Sequence, residues 1–381
     1  MIKLFYEDSY ISEFSARVER CTKADDGYLV TLSQTAFFPT AGGQECDSGT
    51  IDNEEVLSVI CENDEIYHLV KNPIEEGKTV TGKLHFEERF RKMQHHSAEH
   101  IVSGLAFSRF SLVNTGFHLG KDDVTIDYGA EITEEQLCEL ENLANEVVYK
   151  NLEISASYPK ADELENINYR SKKEILGRIR IVTIPGVDVC ACCAPHVKHT
   201  GEIGIIKFTD MMRHRGGVRI RMICGKDALL DYCQKQKSVA QISRMLSAPQ
   251  NEVFGAVLKL SEQISDQKRK NAQLLNELAL YEIKSIPKTE ENFIVFSAVC
   301  DRNVQRMIVN EAKKRVGGVF ALLSGDDENG YSYIITANNG VSESVNKLNA
   351  ALSGKGGGRG DTAEGHFYTA RKKIEEEFKI L

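Results

Sequence analysis

Two pairs of residues of metal-binding type constrain this sequence more than any other feature. His96 and His100 lie in one segment, and Cys192 and His196 repeat the same spacing about a hundred positions later. In a helix, residues four apart point to the same face, so each pair can present two ligands to one ion. Imidazole and thiolate are the usual ligands of zinc, whereas Mg²⁺ and Ca²⁺ prefer shells made of oxygen. The two pairs together predict one tetrahedral zinc site.

The first pair alone would be weak evidence, because imidazole nitrogens also hydrogen-bond to carboxylates and backbone groups. The second pair, with matched spacing, favours a metal. The spacing leaves open whether the zinc is structural or catalytic. Four protein ligands close a site, whereas a catalytic zinc keeps one position for water.

Length, composition and charge predict a soluble multidomain protein of the cytoplasm. The 381 residues suffice for two or three domains, and their 41% hydrophobic and 27% charged content is ordinary for a soluble protein. No apolar run approaches the roughly 20 residues of a membrane span, and the first residues lack a signal-peptide pattern. The scatter of the ten cysteines favours reduced thiols. The net charge of −9 argues against nonspecific wrapping of nucleic acid but permits local basic patches.

The first half of the chain is predicted to form two domains. Residues 1–88 contain short apolar runs, such as Tyr28–Leu32 and Val56–Ile60, separated by turn residues, which predicts a β-rich, barrel-like domain. Residues 89–226 are predicted to form an α+β domain that contains the zinc. A helix carries its two histidines, and a strand at 179–184 is expected to lie directly before the second ligand pair.

Within this α+β domain, Asp123–Tyr128 alternates like a strand, and Thr133 with Gln136 forms a capping box for a helix. Two basic stretches follow, namely Tyr169–Lys173 with Arg178 and Arg180, and Arg213–Arg221. Solvated strand edges explain either stretch alone, because Lys and Arg there discourage aggregation. Near a metal site these residues could instead bind phosphates.

The second half is predicted to form a helical linker and a small domain. Residues 227–285 show helical periodicity with a break at Ser247–Pro249, as in a helical hairpin or short coiled coil. Residues 286–381 alternate strands and helices and are predicted to form an α/β domain ending in the loop Gly354–Asp361. A homodimer through the linker or the C-terminal domain is one expectation, and packing of the linker on the chain's own domains is the other. The predicted fold class is α+β multidomain.

The motifs in order resemble those of the long form of the freestanding alanyl-tRNA editing proteins, the AlaX type, which are relatives of the editing and C-terminal parts of alanyl-tRNA synthetase. The matching motifs cover essentially the whole chain and are Phe38-Pro39 with Gly42-Gly43-Gln44, Gln94-x-His96-x-x-x-His100, Cys192-x-x-x-His196-Val197, Arg215-Gly216-Gly217-Val218-Arg219 and Gly356-Gly357-Gly358-Arg359. The resemblance implies that the same four residues bind zinc. It also implies that the middle domain hydrolyses tRNA(Ala) mischarged with serine or glycine, and that the C-terminal domain, of DHHA1 type, assists tRNA binding.

The sequence departs from the family pattern at several positions. Cys193 and Ala194 stand where the family usually has glycine, Ala41 precedes Gly42-Gly43 where a third glycine is common, and Gly360 replaces a frequent proline. None of these changes removes a metal ligand, but Cys190 and Cys193 leave the identity of the liganding thiolate open. The chain has no GxxxxGK[ST] loop and no room for a synthetase's ATP-dependent domain, so an editor acting in trans is expected.

The resemblance and the side-chain chemistry predict three further groups of site residues. The substrate-binding candidates are Thr35, Thr40, Gly42, Gly43 and Gln44; the catalytic candidates are Gln94 and Glu99; and the tRNA-binding candidates are Arg215, Arg219, Lys355 and Arg359. The hydroxyl and amide groups could recognise the serine hydroxyl, and Glu99 could help an attacking water. Turn, cap and exposed helix positions explain the same polar residues without any function.

Three alternatives to an editor of tRNA(Ala) follow from the same motifs. A zinc metallopeptidase would have glutamate after the first histidine, but Ser97 follows His96. A noncatalytic tRNA-binding module with a structural zinc stays open. Editing of Ser-tRNA(Thr) also stays open, because the editing domain of threonyl-tRNA synthetase has similar ligand pairs. The Gly-Gly-Gln loop and the glycine-rich tail favour tRNA(Ala).

Overall fold

The computed structural model describes residues 1–120, 124–171 and 179–381. Within these residues the chain divides into two units, Met1–Ser238 and Val239–Leu381. Several sheets and helices alternate in both units, so the predicted mixed, multidomain class is confirmed. The finer division at residues 88, 226 and 285 stays a prediction. The predicted strand residue Asp123 and the basic residues Lys172, Lys173 and Arg178 lie outside the described residues.

The first 84 residues form short strands that build a barrel. The strands are β1 (Ile2–Lys3), β2 (Glu13–Ala24), β3 (Gly27–Leu32), β4 (Gln34–Thr35), β5 (Gly49–Ile51), β6 (Glu54–Glu62), β7 (Glu65–Val70) and β8 (Thr79–Leu84). Six of them pair in the ring β2-β3-β7-β6-β5-β8, and β8 pairs back to β2, which closes the barrel. Along β2, Phe14, Ala16 and Val18 point inward while polar residues alternate outward. The barrel-like prediction for the N-terminal domain is borne out.

A buried ion pair fixes the barrel to the helix that follows it. Arg89 and Asp47 are both fully buried, and Nε of Arg89 lies 3.0 Å from each carboxylate oxygen of Asp47. Further bonds run from the guanidinium to the carbonyl oxygens of Ser9, at 3.0 Å, and Ala36, at 2.5 Å. Because a buried guanidinium is tolerated only when its donors are satisfied, this clamp sets where the helix begins relative to the barrel.

Between residues 86 and 224 the described part of the first unit contains three α-helices and two sheets, and the two longer helices pack against sheet residues in one hydrophobic core. Its elements are α1 (Phe86–Phe110), β9 (Asn114–Leu119), β10 (Val124–Tyr128), α2 (Glu134–Lys150), β11 (Ser155–Ser157), α3 (Ala161–Leu164), β12 (Ile181–Ile184), β13 (Asp188–Ala191), β14 (Ile206–His214) and β15 (Gly217–Cys224). One sheet has the order β14-β15-β10-β9 and the other β11-β12-β13. The capping box of Thr133 and Gln136 is present at the start of α2, which buries Leu140, Ala144 and Val147.

One prediction about this region is wrong. The second ligand pair does not directly follow the strand at 179–184, because β12 turns back through Gly186 into β13 and the ligands come after β13. Gly186 has φ +71°, a conformation that favours glycine, which allows a tight reversal within an apolar stretch.

The remaining elements are two long helices and an α/β domain. They are α4 (Gly225–Leu246), α5 (Val253–Ser285), β16 (Phe293–Phe296), α6 (Arg302–Ala312), β17 (Phe320–Asp326), β18 (Gly330–Thr336), α7 (Ser342–Ala351), β19 (Gly354–Gly357), β20 (Thr362–Phe367) and α8 (Arg371–Ile380). The boundary between the two units falls within α4, at Ser238, and the five strands of the second unit have the order β16-β17-β18-β20-β19. The predicted break between the two long helices is confirmed, with Ser247 at φ +51° and Pro249 following it.

The segment Gly354–Asp361 is not entirely a loop, because its first four residues form the edge strand β19. The glycines permit this pairing. A methyl group added to Gly356 would lie 2.4 Å from the carbonyl oxygen of Glu364, and one added to Gly358 would lie 2.1 Å from that of Thr362. The glycine run thus lets β19 approach β20 closely. No helix among the described residues is both long enough and apolar enough to span a membrane.

Candidate metal centre

The four predicted ligands come together in the first unit. His96 and His100 project from α1, and Cys192 and His196 lie on the loop after β13. Their ligand atoms all lie within 4.8 Å of one another. The Sγ atom of Cys192 is 3.5 Å from Nε2 of His96 and 3.4 Å from Nε2 of His196. Together with the burial of the three imidazoles, this arrangement can hold one metal ion.

Each imidazole is oriented through its other nitrogen. Nδ1 of His96 lies 3.0 Å from Oε1 of Gln44, and Nδ1 of His196 lies 3.0 Å from Oγ of Ser97. Nδ1 of His100 donates to Oδ2 of Asp188 at 2.9 Å. When Nδ1 carries the hydrogen, Nε2 keeps its lone pair for a metal. The three outer contacts therefore turn three Nε2 atoms toward one thiolate.

The carboxylate behind His100 is itself held by an arginine. Nε and the terminal Nη2 of Arg170 lie 2.7 and 2.8 Å from the two oxygens of Asp188. Burial opposes ionisation of Asp188, but hydrogen bonds from His100 and Arg170 outweigh it and lower its pKa below the usual value. Asp188 is thus a charged acceptor for the Nδ1 hydrogen of His100, which is an outer contact typical of histidines that bind metals.

The electrostatics favour Cys192 as the thiolate. Burial disfavours its ionised form, but His96, His100 and His196 outweigh burial and lower the pKa of Cys192 well below the ordinary value. Burial instead raises the pKa of Cys190, and burial together with Cys192 raises that of Cys193 to about 11. The geometry favours the same cysteine, because Sγ of Cys192 lies within 3.5 Å of Nε2 of both His96 and His196. The choice of Cys192 as the liganding thiolate stays a prediction. All ten cysteines are free thiols.

The histidines differ in charge when no metal is bound. Burial lowers the pKa of His196 to about 3, so its imidazole is neutral near pH 7. Burial acts in the same direction on His100, but Asp188 and Cys192 outweigh it and raise the pKa of His100 well above the ordinary value. A metal at Nε2 would displace that proton.

Arg180 supports the loop that carries Cys192 and His196. One terminal nitrogen donates to the carbonyl oxygens of Cys192 and Ala194, at 3.0 Å each. The backbone N–H of Ala194 in turn donates to Sγ of Cys192 at 3.4 Å. The departures from glycine at Cys193 and Ala194 are thus accommodated in a loop with defined hydrogen bonds, and this member of the basic stretch faces inward.

The Gly42-Gly43 pair forms a tight turn beside the ligands. Ala41 and Gln44 exchange backbone hydrogen bonds, and the two glycines have φ of +62° and +81°, as in a type I′ turn. A methyl group added to Gly42 would lie 3.6 Å from Sγ of Cys193 and 3.9 Å from Cε1 of His96. The pair is thus a tight hairpin turn with bare backbone beside the candidate metal site, and its role in substrate binding stays a prediction.

Gln44 joins this turn to the ligands. Its side chain is 1% exposed, and its Oε1 is the acceptor for His96. The Nε2 atom of the same amide is buried and has no hydrogen-bond partner among the described residues. An unpaired buried donor is unfavourable, so it is a position where a bound molecule can supply an acceptor.

Three other predicted residues use their polar groups internally. The hydroxyl of Thr35 lies 2.8 Å from Nε2 of His68 inside the barrel, and that of Thr40 accepts from the backbone of Cys46 at 3.1 Å. The amide of Gln94 donates to the carbonyl oxygen of Glu202 at 2.8 Å. These contacts are structural, and a role of the three residues with substrate or catalysis stays a prediction.

Glu99 is not an exposed helix residue, since it is 1% exposed. Its Oε1 accepts hydrogen bonds from Ser103 at 2.7 Å and Asn114 at 2.6 Å. Its Oε2 lies 4.0 Å from Nε2 of His100. Asn114 and Asp188 carry no local sequence signal, because only the folded chain brings β9 and β13 against α1.

Of the four candidate tRNA-binding residues, one is paired with a carboxylate and three are exposed. Arg219 makes two hydrogen bonds, of 2.7 and 2.8 Å, with the carboxylate of Asp127, and it lowers the pKa of that group. Arg215 is exposed at the turn between β14 and β15, with φ +47°. Lys355 and Arg359 are exposed on the second unit.

Comparisons with known proteins support the resemblance. A family profile described as the threonyl and alanyl tRNA synthetase second additional domain matches residues 179–221. The chain is 26% identical over 390 residues to the alanyl-tRNA editing protein Aarsd1 of Danio rerio, covering 97% of this chain and 95% of that protein. It is 28% identical over 403 residues to the alanyl-tRNA editing protein AlaX-L of Pyrococcus horikoshii, covering 99% and 96%.

A longer relative matches over the same extent of this chain. The alanine–tRNA ligase of Pyrococcus abyssi is 29% identical over 412 residues, which cover 99% of this chain but 43% of the ligase. The predicted resemblance to the long alanyl-tRNA editing proteins is therefore confirmed over nearly the whole chain.

Proposed function

We propose that this chain is a trans-acting aminoacyl-tRNA deacylase of the cytoplasm that hydrolyses Ser-tRNA(Ala), with Gly-tRNA(Ala) as a second substrate. The observation that carries the proposal is the cluster of His96, His100, Cys192 and His196, with ligand atoms within 4.8 Å of one another. It lies in a chain that matches proteins named alanyl-tRNA editing proteins along nearly their full length.

Zinc is the metal that these donors fit best. Three imidazole nitrogens and one thiolate are an ordinary tetrahedral set for zinc, and each imidazole has an outer hydrogen-bond partner. Bound there, zinc would polarise an ester carbonyl or fix the amino group of the substrate, and with an open position it would lower the pKa of a bound water.

The protein residues would position the substrate and move one proton. The turn at Gly42 and Gly43 leaves room for the aminoacyl group beside His96. A water oxygen adds to the ester carbonyl carbon, and Glu99 accepts a proton from that water. The bond between the carbonyl carbon and the ribose oxygen then breaks, and the proton passes to the ribose oxygen. An aminoacyl ester is already activated, so positioning supplies much of the required acceleration.

Gln44 supports a preference for serine over alanine. Its Nε2 is buried and unpaired among the described residues, so a serine hydroxyl could satisfy it. A site built for a hydroxyl rejects the analogue that lacks it by about 10⁴, because the polar group is left unpaired. Glycine also lacks the hydroxyl, so its discharge would depend on its smaller size.

We place the tRNA contacts at Arg215, Lys355 and Arg359, whose side chains are exposed. Arg219 is a weaker candidate, because Asp127 compensates its charge.

We also propose that helix α5 forms a homodimer contact. Large apolar side chains on this helix are exposed, including Phe254, Leu258, Leu274, Leu280 and Tyr281.

The carboxylate behind His100 gives a test of the metal proposal. We expect Asp188→Asn to weaken zinc affinity by about 10- to 100-fold, because it removes the charged acceptor that orients His100. Competition with a chromophoric chelator measures the affinity. Asp210→Asn, at an exposed carboxylate on β14, is the matched control and should bind zinc as wild type does. Equal affinity of both variants would contradict the assignment of Asp188.

Discharge of mischarged tRNA tests the activity. The wild-type protein should hydrolyse Ser-tRNA(Ala) faster than Ala-tRNA(Ala) or Ser-tRNA(Thr). His100→Ala and removal of zinc by a chelator should each abolish discharge, while His199→Ala, at an exposed histidine, should retain it. Circular dichroism checks that both variants fold. Binding of tRNA(Ala) without discharge would favour the noncatalytic module, and faster discharge of Ser-tRNA(Thr) would favour the threonine editor.

The glycine-rich segment Gly354–Asp361, which carries Lys355 and Arg359, gives a separate test of tRNA binding. The double variant Lys355→Ala with Arg359→Ala should raise KM for the mischarged tRNA and leave kcat unchanged. If both side chains contact phosphates, the slope of log affinity against log salt concentration should fall by about two. Lys347→Ala, which removes an exposed lysine paired with Glu343, is the control. An unchanged salt slope in the double variant would reject these contacts.

A further inference from the structure

We propose that Asn114 is a positioning residue that holds the carboxylate of Glu99 beside the metal ligands. This inference rests on the proposed deacylase function and adds a residue that none of the predicted motifs contains. Asn114 begins strand β9, and Glu99 lies on α1 directly before the ligand His100. The contact between them joins the sheet to the face of the helix that carries the ligands.

Three polar groups among the described residues share hydrogen bonds at this point. Nδ2 of Asn114 donates to Oε1 of Glu99 at 2.6 Å and to Oγ of Ser103 at 2.8 Å. The hydroxyl of Ser103 donates to the same Oε1 at 2.7 Å. The two amide hydrogens and the one hydroxyl hydrogen account for all three bonds. Donors and acceptors thus match without any choice of tautomer.

These bonds determine where the other carboxylate oxygen lies. Because Oε1 is held from two directions, the carboxylate cannot rotate freely, and Oε2 lies 4.0 Å from Nε2 of His100. That nitrogen is the one that His100 would offer to a metal, since its Nδ1 lies against Asp188. Glu99 is 1% exposed, and a buried carboxylate needs such donors to remain in place. The arrangement puts a carboxylate oxygen at the edge of the ligand cluster.

The other end of the Asn114 amide is consistent with this role. Its Oδ1 is buried and has no hydrogen-bond partner among the described residues. A side chain whose only purpose was to join β9 to α1 would be expected to satisfy both ends of its amide, since an unpaired buried acceptor is unfavourable. Unsatisfied polar groups of this kind occur at functional sites. The orientation of Asn114 is therefore explained by the two hydrogen bonds that its Nδ2 donates to Glu99 and Ser103, and not by a gain in local stability.

A double-mutant cycle with Glu99 tests whether Asn114 acts through that carboxylate. We expect Asn114→Ala to lower kcat for Ser-tRNA(Ala) about 10- to 100-fold, with KM and zinc content close to wild type. In a Glu99→Gln background, the same change should lower kcat by less than about threefold, because the group that Asn114 positions is already altered. Asn142→Ala, at an exposed asparagine of α2, should retain wild-type kcat.

Crystal structures of the zinc-loaded wild type and Asn114→Ala give a readout independent of activity. Glu99 should be ordered beside His100 in the wild type and should turn away in the variant, while His100 keeps its position. An unchanged Glu99 carboxylate, a wild-type kcat, effects that multiply in the cycle, or loss of zinc in proportion to loss of activity would each overturn the proposal. If Glu99 moves as expected but the wild-type protein does not discharge Ser-tRNA(Ala), the deacylase function fails and the positioning role stands.

Discussion

The hydrogen bond at Nδ1 of each clustered histidine is the interaction on which the site depends. An imidazole that donates through Nδ1 has only Nε2 left for a metal, so its outer partner determines where its lone pair points. The three partners are Gln44, which follows the glycine turn between β4 and β5, Ser97 on α1 and Asp188 on β13. They come from separate parts of the first unit. The geometry of the site therefore requires the barrel, helix α1 and the sheet that contains β13 to keep fixed positions relative to one another. The buried pair of Arg89 and Asp47 keeps the barrel and the helix together.

This arrangement combines buried imidazoles with an exposed glycine turn beside them. The imidazoles are buried, whereas Gly42 and Gly43 are exposed in a turn beside His96 and Cys193. On the proposed account, a turn without side chains would let the aminoacyl adenosine of the substrate approach ligands that are otherwise enclosed. In the same proposal, Gln44 recognises the substrate hydroxyl and Glu99 accepts the proton from the attacking water.

The sequence predicted the parts of the site that depend on local geometry. The spacing of His96 and His100 is informative because a helix places residues four apart on one face. The glycine pair is informative because glycine adopts two successive positive φ angles without steric cost, which favours a tight hairpin turn. The roles of Thr35 and Glu99 could not be predicted in this way. Thr35 is enclosed in the barrel with His68, and Glu99 is buried because β9 packs on α1. Asp188 carries no local signal either, because its strand is short and follows a turn at Gly186 within an apolar stretch. The surroundings of Thr35, Glu99 and Asp188 thus depend on tertiary packing and not on local sequence.

X-ray absorption at the zinc edge of the purified full-length protein tests the central claim most directly. The account predicts one zinc per chain, with three nitrogen ligands at about 2.0–2.1 Å and one sulfur at about 2.3 Å. Cys192→Ser should remove the sulfur signal, whereas Cys193→Ser should leave it unchanged. A zinc shell without sulfur, or protein that binds no zinc at neutral pH, would contradict the assignment of these four residues as a metal centre.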